Sequence, residues 1–223
     1  MKNHEVKIKV LETAVAKGQL SAQDLQDYKD GKKIFQSEEL FLRKQLTGTA
    51  GVIEFINEND TAKNCVTNLS KGYIPAEKNI IVDKVGIRFG FSSSVVAPEL
   101  VSYSAAIFDI GDLSADAGVA ATGDSVYARR IPIQLENAEY VLKVDNVTMD
   151  FGRVADLLTR NVGVDGVNGH GKNFKELEWP KLFMSDKKIT LDLKFPDGGS
   201  VPSGNYYAEL VVKGLGLGKR QAA

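Results

Sequence analysis

The side chains able to do chemistry are few, and their spacing limits them further. The chain has two histidines, His4 and His170, and one cysteine, Cys65. A metal site inside a β-barrel needs two or three imidazoles and a carboxylate converging on one point. Two histidines so far apart do not supply it. A Ser-His-Asp or Cys-His device would have to use one of them. His4 falls in the N-terminal segment, and His170 falls in "VNGHGKN", a glycine-rich setting that holds no imidazole in a fixed pose. The spacings HExxH, CxxC and the EF-hand loop are absent. In "KGLGLGKR", Gly214 and Gly218 stand one residue too close for a phosphate loop, and Arg220 follows Lys219 where Ser or Thr is needed. That segment reads as a strand running into a tail. Cys65 predicts a buried structural thiol and no intrachain disulfide. No catalytic residue, cofactor or metal is expected.

Carboxylates are the remaining chemistry. Glu176 and Glu178 flank Leu177 just before Trp179, the only tryptophan. Two acids at a suitable separation make a glycosidase, and a sugar-binding groove suits a tryptophan. The plainer expectation is a solvated edge, with Trp179 packed as core.

The elements that would position these groups change character near Thr47. Before it the pattern is helical. Val6, Ile8, Val10, Leu11, Ala14 and Val15 suit an amphipathic segment ending at Gly18. "SAQDLQDYKDG" predicts a second helix, with Ser21 as N-cap, Asp24 in the first turn and Gly31 as the stop. "SEELFLRKQL" predicts a third, capped by Ser37, with Leu40, Phe41 and Leu46 on its apolar side.

Beyond Thr47 the pattern is β. Candidate strands lie at 51–56, 79–91, 102–110, 125–135, 138–151, 187–195 and 206–215. Turn residues separate them at Asn57 to Asp60, Ser92 to Ser94, Asp145-Asn146 and Asp197-Gly198. Short helices are expected at 153–161 and around 96–104. A loop spans 163–173.

Two phrases look alike. Val85, Ile87, Phe89 and Phe91 alternate with smaller or polar residues, and so do Ile189, Leu191, Leu193 and Phe195. Asp-Lys precedes both runs, and an aromatic residue and a proline lie about ten residues further upstream. Loop lengths point the same way. One eight-stranded sandwich with strands of about 5–6 residues would leave roughly 18 residues per connection, against a usual median of about 4–6. Two such sandwiches leave about 5. The expected organisation is therefore a helical arm over 1–46, a first β-unit over 47–135 and a second over 136–223.

Composition bounds the rest. The chain has 223 residues, 43% hydrophobic and 26% charged, with 28 basic against 29 acidic side chains. A net charge of -1 gives no global field for nucleic acid or an acidic membrane surface. No apolar run approaches the ~20 residues of a membrane span. The lysine-bearing N-terminal stretch lacks the apolar segment of a secretory signal, so synthesis in a cytosol is expected.

The arm, the duplicated β-pattern and the ending "ITLDLKFPDGGSVPSGNYYAELVVKGLGLG" together resemble the major capsid proteins of tailless, icosahedral bacteriophages with an internal membrane, most of all the finnlakevirus type. The resemblance covers Thr47 to Gly218. It implies a mainly β fold of two tandem eight-stranded jelly rolls, a double jelly roll with a short N-terminal helical arm. It also implies a homotrimeric, pseudo-hexagonal capsomer in the virion shell, made in the host cytoplasm. Partners would be the chain itself, its lattice neighbours, a vertex protein and inner-membrane lipid, with no sequence-specific nucleic acid. In that reading Val85, Ile87, Phe89, Ile189, Leu191, Leu193 and Phe195 are core-strand residues. Lys2, Lys7, Lys9, Leu40 and Phe41 are contact residues of the arm. The alternatives are a β-sandwich glycan-binding module or adhesin using Trp179, and a carboxylate glycosidase.

Overall fold

The computed structural model describes residues 2–47, 51–76, 78–103, 131–158, 174–201 and 204–219, with backbone alone at 2–4, 133 and 218–219. The fold is mainly β. Its strands are β1 (Lys33–Gln45), β2 (Val52–Glu54), β3 (Ile80–Ser92), β4 (Glu139–Val144), β5 (Val147–Arg153), β6 (Lys175–Phe183), β7 (Ile189–Lys194) and β8 (Asn205–Lys219). Helices α1 (Lys2–Ala16) and α2 (Ala22–Lys29) precede them, and a single turn, α3 (Ile133–Glu136), leads into β4.

Two four-stranded antiparallel sheets result, in the orders β1-β8-β3-β6 and β2-β7-β4-β5. The first strand pairs with the last, the second with the seventh, the third with the sixth and the fourth with the fifth. The chain is thus one long antiparallel ribbon, rolled so that its paired segments alternate between the two sheets. The tip of the ribbon is the β4–β5 hairpin. There Asp145 and Asn146 take φ of 49° and 65°, the pair of left-handed conformations that a tight hairpin turn requires.

Strands from both sides of residue 135 share each sheet. The division into 47–135 and 136–223 is therefore not how the described strands associate: they make one interleaved sandwich in place of two tandem ones. Residues 55–79, between β2 and β3, hold no named strand among those described, a connection far above the usual median, so long loops are present after all. β3 has 13 residues and β8 has 15, more than twice the usual strand. The two similar phrases are not copies of a domain either. Val85, Ile87 and Phe89 lie on one sheet, and Ile189, Leu191 and Leu193 lie on the other. With Phe195 they are buried in one shared core cluster.

The third predicted helix is strand β1. Leu40 and Leu42 point into the core, while Phe41 and Arg43 point out. Helix-forming Glu, Leu, Arg and Lys give way to pairing with β8 along the whole strand, from Lys33↔Lys219 to Gln45↔Tyr207. Residues 131–135 form the turn of α3 in place of a strand end, beginning where Pro132 accepts from the Leu135 and Glu136 amides. The helix expected at 153–161 is reduced to a 3-10 turn over Val154–Leu157, and the one near 96–104 to Pro98–Leu100. The strands expected at 102–110 and 125–130, the loop at 163–173 and His170 lie mostly or wholly outside the described residues.

The sheet carrying β1, β8, β3 and β6 is covered on its outer face as well. Leu11 of α1 and Tyr28 of α2 pack with Ile81, and Phe35, Leu182 and Leu217 border them. Further along, residues 95–103 lie over the same face. Both the amide and the carbonyl of Val96 bond the Tyr207 hydroxyl at 2.9 Å. A Cβ on Gly90 would come within 2.5 Å of the Ser102 carbonyl oxygen, so β3 has glycine where this strap crosses.

Candidate functional site

The feature most able to receive another molecule lies where both sheets end. β5 and β6 are edge strands of their sheets, and they lie side by side. The sequence of β6 makes its edge irregular. Lys181 pairs with Val82 and Glu176 with Lys84, so four residues, Leu177 to Pro180, stand opposite Asp83 alone. Pro180 cannot donate to a ladder, and an edge-strand bulge is where a proline is tolerated. The bulge turns Trp179 outward, where it is 67% exposed.

A polar clamp holds β5 to β6. Lys175 Nζ donates to the Tyr140 hydroxyl at 2.8 Å and to Asp150 at 2.9 Å, and the Tyr140 hydroxyl donates to Asp150. Tyr140 is fully buried. Burial, reinforced by the Asp150 carboxylate, pushes its phenol well above the ordinary value. It stays a neutral donor, which suits a clamp and not an acid-base catalyst. Lys181 adds a second tie, donating to the Met149 carbonyl.

Helix α1 runs beside this edge and closes a groove of about 970 Å³. Val6, Val10 and Ala14 form one wall, Val144, Val147 and Met149 of the hairpin another, and Trp179, Pro180 and Leu182 the third. Lys9, Lys17, Lys181 and Lys187 line it as well, with Asp145 as the one acid among the lining residues. Asp145 meets Lys187 at 2.6 Å, and that lysine holds its carboxyl below the usual range.

A second ionic cluster lies on the covered outer face. Glu209 of β8 is 3% exposed and accepts from Arg43 at 2.8 Å and Arg88 at 3.0 Å. The three stand in register on adjacent strands, Arg43↔Glu209 and Arg88↔Glu209. The arginines stack on Tyr103 and Phe174. Every charge has a partner, so the cluster holds the strap and strands together.

The residues singled out from sequence are scattered. Trp179 is exposed and not core, because the bulge overrides strand alternation. Glu176 and Glu178 are exposed as expected, with Glu176 3.5 Å from Lys84. Cys65 is exposed at a positive φ of 63° in a turn, which corrects the expectation of a buried thiol. Lys7 is buried on α1, Lys9 is exposed, and Leu40 and Phe41 belong to β1 and not to a helical arm. The side chains of Lys2 and His4 lie outside the described residues. Gly214 and Gly216 sit within β8, as the strand reading of that segment expects. The two polar clusters were missed. Their members are up to 166 residues apart, and no local pattern marks them.

Among the described residues no group of histidine, cysteine and acidic side chains could hold a metal ion, and no helix is long and apolar enough to cross a membrane. Comparison with known proteins returns no match to a family model, a curated protein or a solved structure.

Proposed function

We propose that the chain is a structural subunit of an icosahedral viral coat, and that copies pack side by side through the edges of the sandwich. The observation that carries this reading is the wiring. The eight strands among the described residues, in the orders 1-8-3-6 and 2-7-4-5 and built from one rolled ribbon, follow the pattern of a jelly roll. The reading needs one such barrel per copy. A six-barrel capsomer, expected from three double barrels, then takes six single ones, or rings of other rotational symmetry.

Two further features support it. The described surface carries large apolar side chains at well-separated places: Phe151 is 70% exposed, Leu100 76%, Val95 72% and Val52 49%. Val52 and Phe151 lie on the edge strands β2 and β5, whose outer backbone is open to a neighbouring copy. The polar groups of the two buried clusters are consumed in clamps, which stiffen a wall. Light scattering coupled to size-exclusion chromatography, with negative-stain imaging, tests the proposal. Discrete rings or closed shells are the expected result. A monomer that persists at high concentration and forms no particles overturns it.

One observation favours a glycan-binding module instead, the exposure of Trp179. The groove beside it argues against that use. Its walls are largely valine, methionine, proline and leucine; Gln19 is the one amide among the lining residues, and the one carboxylate, Asp145, is already held by Lys187, whereas sugar hydroxyls need several free amide and carboxylate partners.

A further inference from the structure

We infer that the groove between α1, the β4–β5 hairpin and the β6 bulge docks an acidic, amphipathic segment of a partner polypeptide. The walls supply the apolar half of the argument. Val10, Met149, Leu182 and Met184 offer an adaptable surface, and Trp179 stands on the rim as the residue type that dominates binding energy in interfaces. The charges supply the other half. Lys9 and Lys17 line the groove with no carboxylate partner among the described residues, while Lys181 donates to the Met149 carbonyl and Lys187 is matched by Asp145.

Shape and charge narrow the occupant. A small apolar ligand prefers a pocket that buries most of its surface, but here Trp179 is 67% exposed, so the groove is open along one side. An open apolar channel with a cationic rim suits a chain laid across it, with apolar residues at helical spacing facing in and acids facing the lysines. A second copy's α1 does not fit. It carries Lys7, Lys9 and the neighbouring Lys17 against Glu5 and Glu12, and would bring like charge to like charge. The acidic helix α2, with Asp24 and Asp27, is already held on its own sheet by Tyr28 and Lys33.

Trp179, the chain's single tryptophan, reports on its own groove. The 223-residue chain is titrated with a tryptophan-free peptide of about 15 residues, roughly four helical turns, with leucines at i, i+3, i+4 and i+7 and glutamates elsewhere. A matched peptide has lysine in place of every glutamate. The expected result is a saturable blue shift of Trp179 emission with the acidic peptide only. Affinity falls at least tenfold in the double variant Lys9→Glu, Lys17→Glu, and falls as salt rises. Both lysines are exposed, so the variant's melting curve is expected to match the parent's. Equal shifts with both peptides, or unchanged affinity in the double variant, overturn the inference. A shift produced by phosphatidylglycerol vesicles and not by the acidic peptide overturns it in favour of a lipid surface.

Discussion

Glu209 shows what a single side chain contributes to this fold. It is buried on the central strand β8 between two arginines, each about 30% exposed on its own strand. Glu209→Ala leaves both guanidinium groups without their carboxylate under the strap. Because the arginines reach some water, the cost belongs near that of losing hydrogen bonds to a charged group. We expect a loss of about 2–3 kcal/mol in urea denaturation. Gly214 makes a steric counterpart. A Cβ there would lie 2.1 Å from the Ile81 carbonyl oxygen, which is backbone and cannot swing aside. Gly214→Ala is therefore expected to cost about 3 kcal/mol, the upper end of overpacking penalties, measured in the same way. Neither site could be found from sequence. A glutamate in "YYAELVV" looks like any wet-face residue, and its partners are fixed only once β1 and β3 take their places beside β8.

At the scale of elements, local patterns were legible where local energy decides. Helix α2 is the clearest case. Ser21 accepts from the Asp24 amide at 3.0 Å, and Gly31 follows the helix with φ of 69°. Ser21→Ala should cost about 1 kcal/mol. Asp24 also meets Lys33, chiefly through a side-chain hydrogen bond, and that bond together with Ser21 holds its carboxyl below the ordinary value of 3.8. A depressed carboxyl stabilises the fold above its unfolded value, and the contribution disappears as pH falls through the folded one. Asp24→Asn is thus expected to lower the melting temperature near neutral pH. Its difference from the parent should shrink below about pH 4 and vanish in stronger acid. A difference independent of pH would show that the ion pair contributes nothing. Where long-range pairing decides, the same local reading failed. "SEELFLRKQL" has helical composition yet pairs with a strand from the far end of the chain. In β3 the alternation is interrupted at Asp83, where a bulge resets it: Ile80 and Val82 face the core before the bulge, and Val85, Ile87 and Phe89 face it after. The run from Val85 was legible for that reason, and β6 was not, because its bulge and Pro180 break the period.

At the scale of the whole molecule, the ribbon wiring decides what can be removed. Its first strand pairs with its last, so the N-terminal region is two things: helices laid on the outside of a sheet, and then β1 within that sheet. Deleting residues 1–31 removes α1 and α2. It uncovers Ile81, Phe35, Leu182 and Leu217 and forfeits the burial of Leu11 and Tyr28, each worth about 1.5–3 kcal/mol before the cost of ordering two helices. We expect that variant to fold, with β-type circular dichroism, a cooperative but lower melt and newly exposed apolar surface. On the coat reading it should also associate without closing a shell, because the missing α1 borders the edge formed by β5 and β6. Deleting residues 1–46 takes β1 too, leaves β8 an unpaired edge along its length and opens the core at Leu40 and Leu42. That variant should not fold at all. Circular dichroism melts of the two truncations separate an arm from a strand directly. Equal melting of both would mean that β1 is dispensable, and the ribbon would then have to begin elsewhere.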